Sequence, residues 1–413
     1  MISAIKGYPL NYLWARINEM PDRPVEWWQI YRLNKILKVS AGLVGMYKDI
    51  FGKAGVKDIQ VKALFDLEKL PVITKALMGE YPPHSVVNVK VDGRYGFSNR
   101  ALTNYICRGD GELFRYVVDK KFCVMRGKLV KAAFRNINLG KDRFVLIGKF
   151  LYPYSFGPNC LMVPYSMLKG RKEDFLKVFS EARPEYIFFD NINMMNSFRT
   201  LCLDCQFRPS PNLKSIILFS VDISDKERSE GETFFGAPIF LAKYSLFEEA
   251  PFLGWECGER NGLHLNRQSY ILEIVDENGR QVQPGQAGRV VITNFENELM
   301  PLIRYDTGER GRFLGKPCGC GRMSPLFMID PFQVKDMIMT DRVIRYTDLQ
   351  DVFSYYWGAI KSFEAVAETN RGIRIQISPG KIWDDNILDH LENSLRTVTG
   401  PDTRIDFNII NVE

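Results

Sequence analysis

"EYIFFD", residues 185–190, sets four apolar side chains in a row between two acids. A run this short, and this rich in aromatic and β-branched residues, is a strand; with no polar face it must be covered on both sides. Just upstream, "KEDFLKVFSEA" (172–182) spaces its apolar side chains by three and four, the mark of an amphipathic helix. The runs "RFVLIG" (143–148) and "SIILFS" (215–220) repeat the strand pattern, with helical stretches between them. Buried strands alternating with helices predict an α/β fold.

The flanks have other textures. Apolar spacing is helical from Pro24 to Ala54 and from Val61 to Met78, interrupted by "GKAGV" and "LPVIT", so residues 1–80 form a helical start. After Leu263, "SYILEIVDENGRQV" and "GQAGRVVITNF" are strands joined through the turn "DENG", giving a β-meander over 265–313. Past Cys320, short strands ("VIRYT", "RIQIS", "RIDFNII") mix with helical pieces ("DLQDVFSYY", "NILDHLENSLRTV"). Two domains are therefore expected, 1–329 and a small α+β domain over 330–413.

Composition narrows the partners. At 46% hydrophobic and 25% charged, 413 residues are globular material with room for more than one core. The net charge of +6 is dispersed, with no Lys/Arg run, which tells against nucleic acid. No apolar stretch approaches the ~18 residues that span a bilayer. The start "MISAIKGYPLNYLWARINEM" lacks a signal-peptide core. A cytoplasmic protein without a membrane partner is the expectation. Eight cysteines at irregular spacing suit thiols or metal ligands better than a disulfide framework.

Four of the residues that could carry chemistry are sulfur or imidazole. Cys257 and His264 share "WECGERNGLHL", and Cys318 and Cys320 share "KPCGCGR". Two thiols around one glycine form a knuckle that can point both sulfurs at one soft cation. With Cys257 and His264 they would make a closed Cys3His set, which suits structural zinc rather than a catalytic ion; the other reading is four unrelated residues, two of them buried thiols. Cys202 and Cys205 in "TLCLDCQF" fall on a helix and read as two core thiols on one face. In "LAKYSLFEE", Tyr244 is followed at +4 by Glu248, a ring that can stack on a base and an acid that can hold magnesium on phosphate oxygens; a strand end followed by an acidic helix start accounts for it equally well. "LIRYDTGERGRF" (302–313) is either a nucleotide site or an ordinary charged turn. "YIFFDNINMM" (186–195) offers Asn191 and Asn193 to an acyl pocket, or a strand followed by a helix cap at Asp190 or Asn191.

The order of "MYKDIFGKAGV", "LEKLPVITKALM", "FFGAPIFLAKYSLFEE", "GWECGERNGLHL", "MPLIRYDTGERGRF" and "CGCGR" resembles that of phenylacetate–CoA ligase-like adenylate-forming proteins, the branch attached to capsular polysaccharide clusters above all. The resemblance covers nearly the whole chain. It implies a large N-terminal α/β domain with a small C-terminal one, and a reaction in which a carboxylate and ATP give acyl-AMP and the acyl group passes to a thiol of CoA or a carrier protein, or to an amine. By position it implies Tyr244 near the adenine, Glu248 as the catalytic acid that helps hold magnesium, and Glu309 on the ribose hydroxyls beside Asp306 and Thr307 of the same box. Cys257, His264, Cys318 and Cys320 match zinc ligands.

This chain also departs from the pattern. The phosphate loop corresponds to "DGRYGFSNRALTNY" (92–105), where Tyr95, Phe97 and Arg100 replace the small residues that let backbone N–H groups approach phosphates. Arg94 and Arg100 would then bind phosphates as charges. Ser245 and Phe247 stand for Gly-Thr, and Phe332 and Gln333 for the hinge Gly-Arg. "RIDFNIINVE" ends short of the family's terminal lysine, for which Lys335 and Lys381 do not substitute by position. The readings that follow are a diverged carboxylate-activating ligase, a catalytically degenerate relative serving as a scaffold, and an acyltransferase that takes a preformed activated acyl group.

Overall fold

The structure, a computed structural model, describes residues 17–56, 60–82, 84–88, 101–107, 113–119, 142–148, 160–164, 171–219, 223–244, 252–330, 337–339, 343–344, 346–356, 359–369, 372–380, 382–384 and 386–410. The chain divides into two compact units, one of Met1–Leu102 with Val118–Asp330 and one of Thr103–Val117 with Pro331–Glu413.

The first unit begins with helices α1 (Asp22–Leu43), α2 (Gly45–Lys53) and α3 (Lys75–Gly79). Pro24 sits in the first turn of α1, where an absent N–H costs no hydrogen bond. The inward stripe Val25, Leu33, Ile36 and Leu37 carries two polar members, Ser40, whose hydroxyl donates to Ile36 O at 2.8 Å, and Gln29. Its amide donates to the carbonyls of Arg267 and Tyr270 at 3.0 Å each, so a buried polar group is satisfied and the helix is pinned to a distant strand. α2 buries Tyr47, whose hydroxyl donates to Pro301 O (3.1 Å) and accepts from the Ile303 N–H (2.9 Å). Thr74 caps α3 by accepting from the Leu77 N–H at 3.1 Å.

Strands β1 (Ala101–Cys107) and β2 (Leu113–Asp119) form a two-stranded sheet. The central sheet has eleven: β3 (Phe144–Gly148), β4 (Cys160–Pro164), β5 (Tyr186–Phe189), β6 (Ser215–Leu218), β7 (Ile239–Tyr244), β8 (Phe252–Trp255), β9 (Leu263–Leu265), β10 (Tyr270–Val275), β11 (Gly288–Asn294), β12 (Tyr305–Phe313) and β13 (Leu326–Ile329). Their spatial order is β10-β11-β12-β13-β9-β8-β7-β6-β5-β3-β4. Pairing is parallel from β4 to β7 and antiparallel from β7 to β10, so β7 joins two kinds of sheet.

Helices α4 (Lys172–Ala182), α5 (Ile192–Asp204) and α6 (Asp225–Phe235) link the parallel strands. Every residue of β3, β5 and β6 is buried, as an all-apolar run requires. Phe179 and Phe198, 4.8 Å apart between ring centroids, and Phe235 stacked on Phe198 at 6.0 Å join the three helices. Asn191 is the cap of α5, accepting from the Met194 N–H at 2.9 Å. Among the described residues no helix is long and apolar enough to cross a membrane.

The second unit contains β14 (Met337–Ile338), β15 (Val343–Ile344), α7 (Tyr346–Phe353), β16 (Ile360–Thr369), β17 (Gly372–Pro379), α8 (Ile387–Thr399) and β18 (Arg404–Ile409). β17 is central, antiparallel to β16 and parallel to β18 across α8. Ile373, Ile375 and Ile377 alternate along β17 onto Leu391 and Leu395 of α8 and Phe353 and Phe363, a core of its own.

Candidate functional site

Two places in the first unit gather chemistry. At the first, Cys257 follows β8, His264 lies on β9, and Cys318 and Cys320 lie in the connection from β12 to β13. The strand register explains their meeting: His264 is opposite Trp255 on β8 and opposite Leu326 on β13. Each cysteine segment is a tight turn, the Arg260 N–H donating to Cys257 O at 3.1 Å and the Gly321 N–H to Cys318 O at 3.3 Å. Gly321 has φ +76, in the region glycine enters without strain.

The three sulfurs and the imidazole nitrogen all lie within 4.8 Å of one another. Cys257 Sγ is 3.5 Å from Cys318 Sγ, and Cys320 Sγ is 3.3 Å from His264 Nε2. Tetrahedral zinc with sulfur and nitrogen ligands has edges of about 3.5–3.8 Å, so this donor set fits the ion. His264 Nδ1 lies 3.2 Å from both the carbonyl and the hydroxyl of Ser324, an arrangement that turns Nε2 toward the sulfurs. Burial pushes the Cys257 thiol up to about 12, so a thiolate there needs a cation. Leu314 and Leu326 complete an apolar cluster around the sulfurs.

The second place is the "DTGE" segment, which is part of strand β12. Val291 faces Asp306 and Arg289 faces Arg310, so Thr307, Gly308 and Glu309 stand opposite the single residue Val290. Such a bulge turns side chains out of the regular alternation. It is held by its own polar atoms: the Gly308 N–H donates to Asp306 Oδ1 (2.9 Å), the Glu309 N–H to Thr307 Oγ1 (3.2 Å), and the Thr307 hydroxyl to Val290 O (3.0 Å). Gly308 has φ +78 with open space where a Cβ would go, so backbone conformation alone demands glycine.

Behind the bulge Arg304, in the left-handed region at φ +45, is buried. Its guanidinium forms a fork with Glu273, Nε to Oε2 at 3.1 Å and Nη2 to Oε1 at 2.9 Å. It also donates to Leu70 O and Gly279 O at 2.6 Å each. Burial pushes the Glu273 carboxyl up while Arg304 pulls it down. The Arg304 carbonyl and the Asp306 N–H bracket Ile73 at 2.8 and 2.9 Å, so the "LPVIT" segment and the bulge are laced together.

The residues expected at a nucleotide site fall into three groups. Asp306 accepts from Arg289 Nη1 at 2.7 Å and Thr307 is 4% exposed, so both serve the bulge. Glu309 points away from it: Oε1 pairs with Lys243 Nζ at 2.7 Å, while Oε2 is buried with no hydrogen-bond partner among the described residues. Arg94, Arg100 and Glu248 lie outside the described residues, as does the Tyr244 side chain, although its backbone ends β7 beside Lys243. Cys202 is buried, but Cys205 lies past the end of α5 and is exposed, so that pair does not share a core face. Sequence reading missed Lys243, Arg289, Arg304 and Glu273. The arginine opening the "RYDTG" box could have marked Arg304; no sequence signal linked Lys243 to Glu309.

No protein-family model matches the chain. A phenylacetate-coenzyme A ligase of Thermus thermophilus is 36% identical over 323 residues, spanning 74% of this chain and 69% of that protein. One of Pseudomonas putida is 22% identical over 370 residues, 82% of this chain and 81% of that protein. Among solved structures, 2-hydroxyisobutyryl-CoA ligase in the postadenylation state in complex with R3-HIB-AMP aligns over 96% of this chain and 88% of its own, with TM-score 0.67 at 16% identity. The same ligase in an open conformation with 2-HIB-AMP and CoA aligns with TM-score 0.65 at 16% identity, over 96% of this chain and 91% of its own. At that identity the likeness shows the fold, which is the expected α/β fold of adenylate-forming ligases.

Proposed function

The chain belongs to the phenylacetate–coenzyme A ligase family, and from that premise we propose that it is a diverged carboxylate-activating ligase whose site grips the nucleoside better than the polyphosphate. In this reading a small carboxylate attacks the α-phosphorus of ATP, pyrophosphate leaves, and the mixed anhydride is opened by the thiol of CoA or a carrier protein, or by an amine, with AMP departing. The observation that carries it is the Glu309 carboxylate, re-aimed by a bulge, with Oε2 buried and without a donor among the described residues. A ribose hydroxyl is such a donor. Tyr244 on the adenine, Glu248 with magnesium, and Arg94 and Arg100 as phosphate charges belong to the same proposal on the strength of their sequence positions, as do a cytoplasmic site of action and a biosynthetic pathway such as that of a capsular polysaccharide. Asp306 and Thr307, expected to contact nucleotide, shape the bulge here.

Cys257, His264, Cys318 and Cys320 would hold a structural zinc, a role supported by four ligand atoms closing on one point. Bound zinc would supply a cross-link between β8–β9 and the β12–β13 connection and no chemistry toward substrate.

Calorimetry with AMP, an acyl-AMP analogue and ATP·Mg, alongside pyrophosphate release on adding carboxylates, tests the reading. AMP or the analogue should bind at least as tightly as ATP·Mg. Much tighter ATP·Mg with brisk pyrophosphate release would mean an intact ligase. The scaffold alternative draws on the bulky residues in "DGRYGFSNRALTNY"; it predicts no nucleotide binding, unchanged by Glu309→Ala. An acyltransferase would instead consume preformed acyl-AMP or acyl thioester without releasing pyrophosphate.

A further inference from the structure

Lys243 lies in "LAKYSLFEE", where the sequence pointed only to Tyr244 and Glu248, yet its Nζ lies 2.7 Å from Glu309 Oε1, with the two side chains only 19% and 20% exposed. The partners are not neighbours in the sheet: β13, β9 and β8 lie between β12 and β7. Glu309 sits in the bulge, out of the regular strand alternation. Lys243 stands one residue before the carboxyl end of β7, the strand where parallel pairing gives way to antiparallel.

The carboxylate is half committed. One oxygen has a cation; the other is buried with no partner among the described residues. A buried oxygen without a donor is costly, and a folded protein keeps one chiefly where something else completes it. The ion pair also fixes what that something can be. With Lys243 cancelling the charge, the open oxygen offers a hydrogen-bond acceptor but little net field, so it suits a neutral hydroxyl better than an ammonium or guanidinium group. Glutamate has one more torsion to fix than aspartate, and an anchor on the first oxygen removes that freedom before any ligand arrives.

Resting on the nucleotide reading of Glu309, we infer that Lys243 is a positioning residue that holds and neutralises Glu309 so that its free oxygen accepts a ribose hydroxyl, making the site selective for ribonucleotides over deoxyribonucleotides. Lys243 itself does not touch the reacting atoms in this scheme.

The test is calorimetry of the full chain with AMP, 2′-deoxy-AMP and 3′-deoxy-AMP, on wild type, Lys243→Met, Lys243→Arg, Glu309→Gln and the Lys243→Met/Glu309→Gln double variant. Wild type should favour AMP over at least one deoxy analogue by about tenfold or more, the worth of a hydrogen bond to a charged group. Lys243→Met should shrink that preference to within about threefold by weakening AMP alone, because the acceptor is no longer held in place. Lys243→Arg should keep it. The double variant should be no less selective than either single one, since both remove the same interaction. Each ratio compares ligands on one protein sample, so loss of folded material does not imitate the effect. If nucleotides bind and Lys243→Met retains the full preference, the role of Lys243 is overturned while the nucleotide reading stands. A wild type that binds none of the three overturns the nucleotide reading of Glu309, and this inference with it.

Discussion

The cysteine–histidine cluster and the "DTGE" bulge both lie on the antiparallel half of the sheet, one using the connection after β12 and the other β12 itself, yet they are finished to different degrees. In the cluster each ligand atom faces the other three, His264 is oriented from behind by Ser324, and apolar side chains close the outside. In the bulge Asp306 and Thr307 make local hydrogen bonds, and one oxygen of Glu309 has no partner among the described residues. On the proposed function the first closes on itself for stability, whereas the second keeps an acceptor that a bound ribose would satisfy. Burial alone would not have distinguished them.

The largest expected effect comes from opening the closed site. Removing zinc with a chelator, or replacing Cys318 and Cys320 together by serine, should cost several kcal/mol of unfolding free energy and lower the melting temperature by more than about 10 °C, because metal affinity for the folded form adds directly to stability. Elemental analysis of tag-free protein showing no zinc, with calorimetric melting unchanged by chelation, would remove the metal centre from the comparison. Next comes Arg304→Met, which strands the Glu273 charge behind the bulge and should cost about 3–5 kcal/mol in urea unfolding. Adding Glu273→Leu should restore much of that loss; if it does not, Arg304 acts through the carbonyls of Leu70 and Gly279 instead.

A smaller loss, about 1–2 kcal/mol, is expected for Gly308→Ala, since space is open there and only the left-handed backbone resists a Cβ. AMP affinity should fall with it, because the bulge aims Glu309; an unchanged affinity would separate bulge geometry from ligand binding. Smallest of all, Cys202→Ala should shift stability by about 1 kcal/mol and leave zinc content untouched. Burial pushes the Cys202 thiol up to about 12, so alkylation should reach exposed Cys205 first.

How much of this the sequence disclosed depends on the range of the interaction. "EYIFFD", "RFVLIG" and "SIILFS" became β5, β3 and β6 because a short apolar run bounded by polar residues has few other ways to be buried. The cysteine–histidine set was visible because cysteine and histidine are scarce and two of the ligands share one glycine knuckle. "DTGE" was legible as a special segment, not as a bulge, since a bulge is a register between β11 and β12 and no residue type encodes register by itself. The Lys243–Glu309 pair was illegible for a stronger reason: three strands intervene in the sheet, and the residues are 66 apart in sequence, so only the finished fold brings them together. The same holds for Arg304, whose partners come from two distant segments, Leu70 from one and Glu273 and Gly279 from β10 and the turn after it.

The polar stitches from α1 and α2 to the far end of the first unit have a consequence for how the chain is made. Gln29 waits for the carbonyl of Tyr270, 241 residues later, and Tyr47 for the Ile303 N–H, 256 residues later. At ~5–20 residues per second on the ribosome, that separation is on the order of ten to fifty seconds. Throughout that interval α1 and α2 have each other and residues 61–88 but lack the surface that β10 and the segment before β12 supply, so the nascent amino-terminal helices are a predictable client for a holding chaperone, released when β10 and β12 emerge. Pulse-labelled chains truncated before residue 270 should therefore be captured by such a chaperone and cleaved quickly by added protease, and chains extended past residue 330 should escape both.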